Sequence, residues 1–391
     1  MERLAEADEL RENLVRSLIT DRALCTERWQ AAFRAVPRHV FLPRFFQHDD
    51  EGGWSAVDSN DPEWLEAVYS DRVLVTQLDG DPTRWETARR ARRVEGKPTC
   101  SSSMPMIMAI MLEALRVRDG QRLLEIGTGT GYNAALCCYA LGDSLVSTVD
   151  IDEDLVRTAR EHLATCGFEP RSTIADGVYG YPAGAPYDRL LCTCAVSEIP
   201  LSWLEQTRPG GLVVTTLNRP IGAGLVRIEA LGGPHGVGRV LATDGRFMPL
   251  RAHQLDDPVS LLANADPGSR FVSTRSSTLP VSAMLDPCSP FEFFSGLALP
   301  DVQAVSENDH AVLVHPDGSW ASHRSRRGRS MIAQGGPRRL WDEAENAFEQ
   351  WRLLEEPTRD RFGITVGPQA QEFWLDYPDS EYRWSLRPGP G

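Results

Sequence analysis

The sequence predicts an α/β fold, a parallel sheet covered by helices, and three observations carry that prediction. Strand-like apolar runs alternate with helix-compatible segments between residues 105 and 255, as in chains that build a parallel sheet. One strand-to-helix junction, Arg122-Leu-Leu-Glu-Ile-Gly-Thr-Gly-Thr-Gly-Tyr132, carries three alternating glycines. The next strand-like run, Leu145-Val-Ser-Thr-Val-Asp150, ends in an acid.

The glycine junction organises the rest. Gly127, Gly129 and Gly131 let the backbone turn sharply and approach a ligand where a Cβ would clash. The helix that follows, Asn133 to Leu141, directs its N-terminal amides and positive dipole end at the turn, which favours a carboxylate or phosphate. A glycine-rich turn with no ligand has the same pattern, so the motif depends on its context.

In chain order, residues 1 to 46 read as helices, with Leu4, Leu10, Leu14, Leu18 and Ile19 at helical spacing and Trp29 to Phe33 as a second apolar patch. Val36-Pro37-Arg38 ends that helix, because a proline pushes the preceding residue out of the α region. Residues 47 to 66, acidic and glycine-rich, read as a long loop or insertion, and Val73 to Gln77 as a short strand. From Arg84 to Lys97 the arginines Arg89, Arg90, Arg92 and Arg93 crowd together. They are either a solvated helix face or a patch that draws in an acidic substrate. Met106 to Leu115 is an apolar helix, Asp154 to Cys166 an amphipathic one, and Ser202 to Gln206 a short one. Ser172 to Ile174 and Tyr187 to Cys194 are strands, and Pro209-Gly210-Gly211 is a turn into Leu212 to Leu217. Residues 256 to 290 read as an irregular connector. Ala311 to Trp320 reads as a hairpin with Asp317-Gly318 in its turn. Arg338 to Glu355 is a helix, and Phe362 to Leu386 supplies three short strands with Trp374 and Trp384. The expected organisation is residues 1–80 as helices with an insertion, 81–255 as the parallel-sheet domain and 256–391 as an α+β domain.

Composition excludes several classes. No run of about 18 apolar residues is present, so nothing is expected to span a membrane. The charged N-terminus lacks a signal-peptide core, so a cytoplasmic location is expected. A net charge of −14 disfavours nucleic acid and anionic membranes as partners. Lys97 is the only lysine, a bias that points to a GC-rich genome. The eight cysteines form no Cys-x-x-Cys and no Cys/His set at zinc spacing, so reduced thiols and no metal are expected. His39, His48 and His162 are scattered, and core or surface positions suit them better than catalysis.

Glu125, the glycine turn, Asp150 and Asp176-Gly177 form one constellation. Asp150 lies 21 residues beyond Gly129, where such a fold delivers an acid to a ribose hydroxyl pair. Both NAD and S-adenosylmethionine offer a ribose there. The Gly-x-Gly-x-Gly spacing, and Asp176-Gly177 placed to take an adenine amino group, favour the methyl donor.

With these residues in view the chain resembles the protein-L-isoaspartate O-methyltransferase family. Leu124-Glu-Ile-Gly-Thr-Gly-Thr-Gly-Tyr132, Ser101-Ser-Ser-Met-Pro105, Val36-Pro-Arg38, Asp176-Gly-Val-Tyr-Gly-Tyr-Pro182, Ala185-Pro-Tyr-Asp188 and Pro209-Gly-Gly211 carry the likeness, over roughly residues 30 to 250. The resemblance implies a class I methyltransferase (Rossmann-like) sheet with N-terminal helices and, here, a C-terminal α+β extension. It also implies S-adenosyl-L-methionine as cofactor and S-adenosyl-L-homocysteine as its product. The cofactor would lie against Glu125, Gly127, Thr128, Gly129, Gly131, Tyr132, Asp150, Ile151, Asp176 and Gly177. In the family a Thr-Ile-Ser-x-Pro-type segment places a serine on the substrate carboxylate. Ser103 matches that serine and Pro105 the proline, while Ser102 replaces the usual apolar residue. Ser103 is therefore the expected catalytic residue, and Ser102, Met104, Pro105, Arg89 and Arg90 are expected to contact substrate.

Two departures, the acidic insertion before Val73 and the long C-terminal extension, look like the variants that accompany maturation of ribosomally made peptides of the graspetide and lanthipeptide type. The expected partner is then a modified, macrocyclic precursor peptide, one aspartyl side chain of which is methylated before the ester collapses to aspartimide. The alternative is repair of isoaspartyl residues. A rival from another class is a binding module that uses the nucleoside fold without turnover. Intact Ser103, Asp150 and glycine turn speak against it.

Overall fold

A computed structural model of the protein describes residues 2–49, 52–265, 273–307, 310–326 and 329–386. The chain divides into two compact units, Met1–Cys194 with Ser202–Thr215 and Glu229–Gly233, and Ala195–Leu201 with Thr216–Ile228 and Pro234–Gly391.

In the first unit the helices Glu2–Thr20 and Glu27–Ala35 lead into a four-stranded sheet. Its strands are β1 (Arg44–His48), β2 (Trp54–Asp58), β3 (Leu74–Leu78) and β4 (Pro98–Ser102), in the order β2-β1-β3-β4. Neighbours are antiparallel throughout. The expected loop over residues 47 to 66 thus holds most of a hairpin and the short helix Trp64–Val68. Its acids crowd the turns and mask a sparse apolar set. Phe46, Ala56, Val75 and Leu78 are buried against Trp85 and Ala88 of the helix Arg84–Ala91, which is enough to order the sheet.

The parallel core follows: β5 (Leu123–Ile126), β6 (Val146–Asp150), β7 (Arg171–Ile174) and β8 (Tyr187–Val196). β5 pairs in parallel with both β6 and β8, and β6 with β7. Every residue of β5 is buried, as expected of a strand covered on both faces. The covering helices include Pro105–Ala114, Tyr132–Leu141 and Glu153–Thr165. Asp152 starts the last of these, its carboxylate accepting the Asp154 and Leu155 amides at 3.0 and 3.2 Å. β9 (Thr207–Leu217) runs straight through Pro209-Gly210-Gly211, where a turn was expected; Gly210 takes φ +80° within the strand. β10 (Gly224–Gly232) follows. The class I (Rossmann-like) α/β arrangement read from the sequence is the arrangement found.

The second unit contains β11 (His235–Val240), β12 (Ser273–Ser277), β13 (Gln303–Glu307), β14 (His310–Val314), β15 (Trp320–Arg326), β16 (Arg329–Gly335), β17 (Phe362–Val366), β18 (Gln371–Leu375) and β19 (Arg383–Ser385). β11, β17, β18 and β19 pair in that order, all antiparallel. A separate five-stranded sheet has the order β12-β16-β15-β14-β13 and carries the helix Leu340–Leu353, whose Trp341 stacks on His323 at 5.0 Å. The hairpin expected around Asp317-Gly318 is β14–β15. The expected irregular connector instead holds two short helices, Pro258–Asn264 and Val281–Leu285, besides β12. Trp374 is buried over Gly363, where any Cβ would lie 2.1 Å from its ring. Trp384 packs edge-on against Phe294 at 5.4 Å. Both tail tryptophans are structural. Arg324, Arg326, Arg327 and Arg329 form a second basic run, read from the sequence first as surface charge and second as part of a peptide-docking surface; Arg324 is exposed, and Arg327 lies outside the described residues.

Candidate active site

The glycine turn is built by strand ends. Gly127, Gly129 and Gly131 take φ of +92°, +51° and +88°, a region that side-chain-bearing residues rarely adopt. The Val149 carbonyl accepts the Gly127 and Thr128 amides at 2.9 and 3.2 Å, which ties the turn to β6. Asp150, at the end of β6, accepts the Gly129 amide at 3.0 Å through one oxygen and the Asp152 amide at 3.2 Å through the other. Burial raises its pKa, against the pull of those amides.

Beneath the turn Glu125 is fully buried and accepts from Asn133 Nδ2 at 2.7 Å and Thr148 Oγ1 at 2.6 Å. Thr148 in turn meets Thr128 Oγ1 at 2.7 Å. Burial pushes the Glu125 carboxyl up to about 7, although both hydrogen bonds oppose the shift. The Tyr132 ring lies among Phe33 and Phe41, at 6.3 and 5.7 Å. The side chains of Glu125, Thr128 and Tyr132 thus have internal partners that brace the turn. Ile151 is exposed beside Asp150. Asp176 accepts the Val178 amide at 3.0 Å, and the Gly177 carbonyl accepts Trp203 Nε1 at 2.8 Å.

Strand β4 brings the segment Ser101–Pro105, expected from the sequence to meet substrate, to the same place. A Cβ on Gly129 would sit 3.6 Å from Cys100 Sγ and 3.8 Å from the Ser101 carbonyl. Ser102 is buried, Ser103 and Met104 are half-buried, and Pro105 opens the helix Pro105–Ala114 at a position where its missing N–H is harmless. Asp71 accepts the Met106 amide at 2.8 Å, holding the start of that helix.

Arg89, Arg90, Arg92 and Arg93 are all exposed, and Arg84, Arg89 and Arg93 are paired with acids of the same unit. Arg89 donates to Asp61 at 2.7 and 3.0 Å and to the Ala56 carbonyl at 3.1 Å. Arg84 pairs with Asp79 at 2.7 Å and Arg93 with Asp49 at 3.2 Å. Asp49 and Asp61 of the insertion are the partners of Arg93 and Arg89, and folding brings them back onto the helix and the residues just past it. Arg90 is exposed and donates to the Glu86 carbonyl at 3.3 Å.

Two contributors escaped the sequence reading. Gln77 accepts from Thr99 at 2.8 Å and donates to Asp152 at 3.1 Å, so β3 links the substrate strand to the end of β6. Its only signal was a polar residue ending an apolar strand. Arg38 was noted only as part of a motif, yet it is fully buried beneath Ser102 and Ser103. His39 meets Tyr69 Oη at 2.8 Å and His162 the Thr130 carbonyl at 3.1 Å, both structural roles. All eight cysteines are free thiols. Among the described residues no group of three or more His, Cys, Asp or Glu is placed to hold a metal, and no helix is long and apolar enough to cross a membrane.

The family model described as protein-L-isoaspartate(D-aspartate) O-methyltransferase matches residues 88–250. A protein-L-isoaspartate O-methyltransferase of Methanoculleus marisnigri is 33% identical over 207 residues, which is 52% of this chain and 75% of that one. One from Salinibacter ruber is 30% identical over 249 residues, 61% of this chain and 90% of that one. The chain belongs to the protein-L-isoaspartate O-methyltransferase family. It is an S-adenosylmethionine-dependent protein carboxyl O-methyltransferase. A solved structure bearing the family's name superposes with a TM-score of 0.53 at 24% identity, over 94% of this chain and all of that one. That likeness speaks to fold, and its coverage takes in most of the second unit. The residues present fit the methyl donor, because the left-handed glycines make the tight turn and Gly129 presents no Cβ where Asp150 ends β6.

Proposed function

We propose that this methyltransferase acts on the free carboxylate of isoaspartyl residues in damaged proteins and peptides, a repair activity. The observation that carries it is the placement of Cys100 and Ser101 of β4 beside Gly129, just ahead of Ser103 and the helix Pro105–Ala114. The relatives' names support the same substrate class.

When bound, S-adenosylmethionine supplies an electrophilic methyl group on a sulfonium. An isoaspartyl carboxylate is already an anion at neutral pH, so no side chain need remove a proton. The task of the chain's residues is positioning, which can supply up to roughly 7–11 kcal/mol. In this proposal Asp150 and Asp176 orient the nucleoside, with Ile151 as an apolar edge. Ser103 donates to the carboxylate oxygen that does not react, leaving the other in line with the methyl carbon. Once the ester forms, the backbone nitrogen of the following substrate residue displaces methanol and closes a succinimide, without help from the enzyme.

A narrower reading, methylation of one aspartate in a macrocyclic graspetide-type precursor peptide with collapse to aspartimide, draws support from the folded insertion. Strands β1–β3 share a sheet with β4 and so border the substrate segment. The C-terminal extension no longer favours it, since a structure bearing the repair family's name matches nearly the whole chain.

Mass spectrometry separates the two. The protein would be incubated with S-adenosylmethionine and an isoaspartyl peptide, its aspartyl counterpart, or a cyclised precursor. Repair predicts a methyl gain on the isoaspartyl peptide alone. A gain on the precursor alone would overturn it.

A further inference from the structure

We infer that Arg38 is the positioning residue of the substrate segment: its guanidinium sets the Ser102–Met104 backbone so that Ser103 and the Met104 amide face the substrate carboxylate. The inference rests on the carboxyl-methylation reading given above.

Arg38 lies just past the helix Glu27–Ala35, in the turn Arg38–Phe41, and is fully buried. One terminal nitrogen donates to the Val68 and Ser70 carbonyls at 2.8 and 3.0 Å. The other reaches the Arg72 carbonyl at 3.3 Å, Ser102 Oγ at 3.3 Å and the Ser103 carbonyl at 3.1 Å. All of these acceptors are carbonyl or hydroxyl oxygens. The Asp71 carboxylate acts on Arg38 only through space and the Tyr132 ring lies 5.9 Å away, so no ion pair is made and desolvation of the buried cation is repaid only in part. That cost is visible in Arg38, whose pKa burial brings down to about 10. A methionine would fill the same space without it. What a methionine lacks is a planar fork that joins residues 68–72 to residues 102–103.

The consequence for the site follows from peptide geometry. The Ser103–Met104 bond is trans, so its carbonyl and amide point in opposite directions. The Ser103 carbonyl is turned inward onto Arg38. The Met104 N–H therefore points away from the buried cation. It stands at the N-cap of the ten-residue helix Pro105–Ala114, where donors favour an anion. Asp71 holds the other end of the same segment through the Met106 amide. Segment 68–72 thus grips residues 102–106 at both ends, directly through Asp71 and by way of Arg38.

The test compares wild type, Arg38→Met and Arg38→Lys. The readouts are initial rates with an isoaspartyl peptide, calorimetry with S-adenosylhomocysteine, and amide exchange read by mass spectrometry. Misplacing the gripping segment should lower kcat/KM of Arg38→Met by about 10²-fold. S-adenosylhomocysteine affinity should stay within about twofold, because Arg38 makes no hydrogen bond to the glycine turn and meets it only through the Tyr132 ring, whose centroid lies 5.9 Å from the guanidinium carbon. Exchange should quicken at residues 101–106 and 68–72, and Arg38→Lys should recover part of each loss. Unchanged kcat/KM in a folded Arg38→Met protein would overturn the inference. So would a parallel loss of S-adenosylhomocysteine affinity, which would mark a general collapse. If Arg38→Met does not fold, Arg38→Lys decides by the same criteria. If wild type leaves the isoaspartyl peptide unmethylated, the substrate proposal fails, and exchange at residues 101–106 still decides the role of Arg38.

Discussion

Asp150 Oδ2 accepts the Gly129 amide at 3.0 Å, so the acid assigned to the ribose also braces the turn that would carry the cofactor. One carboxylate oxygen has lone pairs enough for an amide and a hydroxyl together. Asp150→Ala should therefore raise the Kd for S-adenosylhomocysteine by about 10- to 100-fold, the loss of a charge-assisted bond with some loosening of the turn. Isothermal calorimetry showing no change would remove Asp150 from the cofactor site.

Ser103 belongs to the segment held by Arg38, two residues past the Ser101 carbonyl that lies beside Gly129. Ser103→Ala should lower kcat/KM for an isoaspartyl peptide by about 10- to 100-fold, the usual effect of deleting one hydrogen bond to a charged group. Binding of S-adenosylhomocysteine should be unaffected. Steady-state kinetics with wild-type turnover would exclude Ser103 from the site.

The glycines of the turn differ in what surrounds them. A Cβ on Gly127 would lie 2.6 Å from Thr193 Oγ1 and 2.9 Å from Cys194 Sγ, whereas one on Gly129 meets nothing closer than 3.6 Å. Gly129→Ala should cost about 1–2 kcal/mol, the left-handed backbone alone. Gly127→Ala adds a clash in a packed strand end and should cost more. Urea unfolding of both variants checks the order, and equal losses would contradict the geometry.

Glu125 supplies a pH dependence with a definite sign. Its folded pKa of about 7 lies above the ordinary 4.5, so the folded protein keeps a proton that the unfolded chain has released. Stability therefore falls as pH rises from about 4.5 to about 7, by at most about 3 kcal/mol. Glu125→Gln should flatten that slope. Thr148, which also meets Thr128, can reverse its hydroxyl to receive an amide. Unfolding the cofactor-free proteins at several pH values measures both curves, and parallel curves would show that Glu125 titrates normally.

The sequence by itself determined what local spacing encodes. Three glycines at alternate positions permit the left-handed backbone of a tight turn, and an acid ending the next strand arrives beside them in a parallel sheet. Family membership and cofactor follow from those short segments. The tertiary structure decided what depends on distant partners. Arg89 reads as a candidate substrate contact until Asp61, 28 residues away, is seen to occupy it. Arg38 reads as a helix-end residue until folding buries it beneath Ser102, 64 residues on. Residues 47 to 66 read as loop because their acids dominate the composition, yet Ala56 and Val57 are buried and their strand β2 finds its sheet partner in β1. A charge is solvated or paired, and a sparse strand forms or does not, according to which remote segment closes over it. No local pattern records that choice.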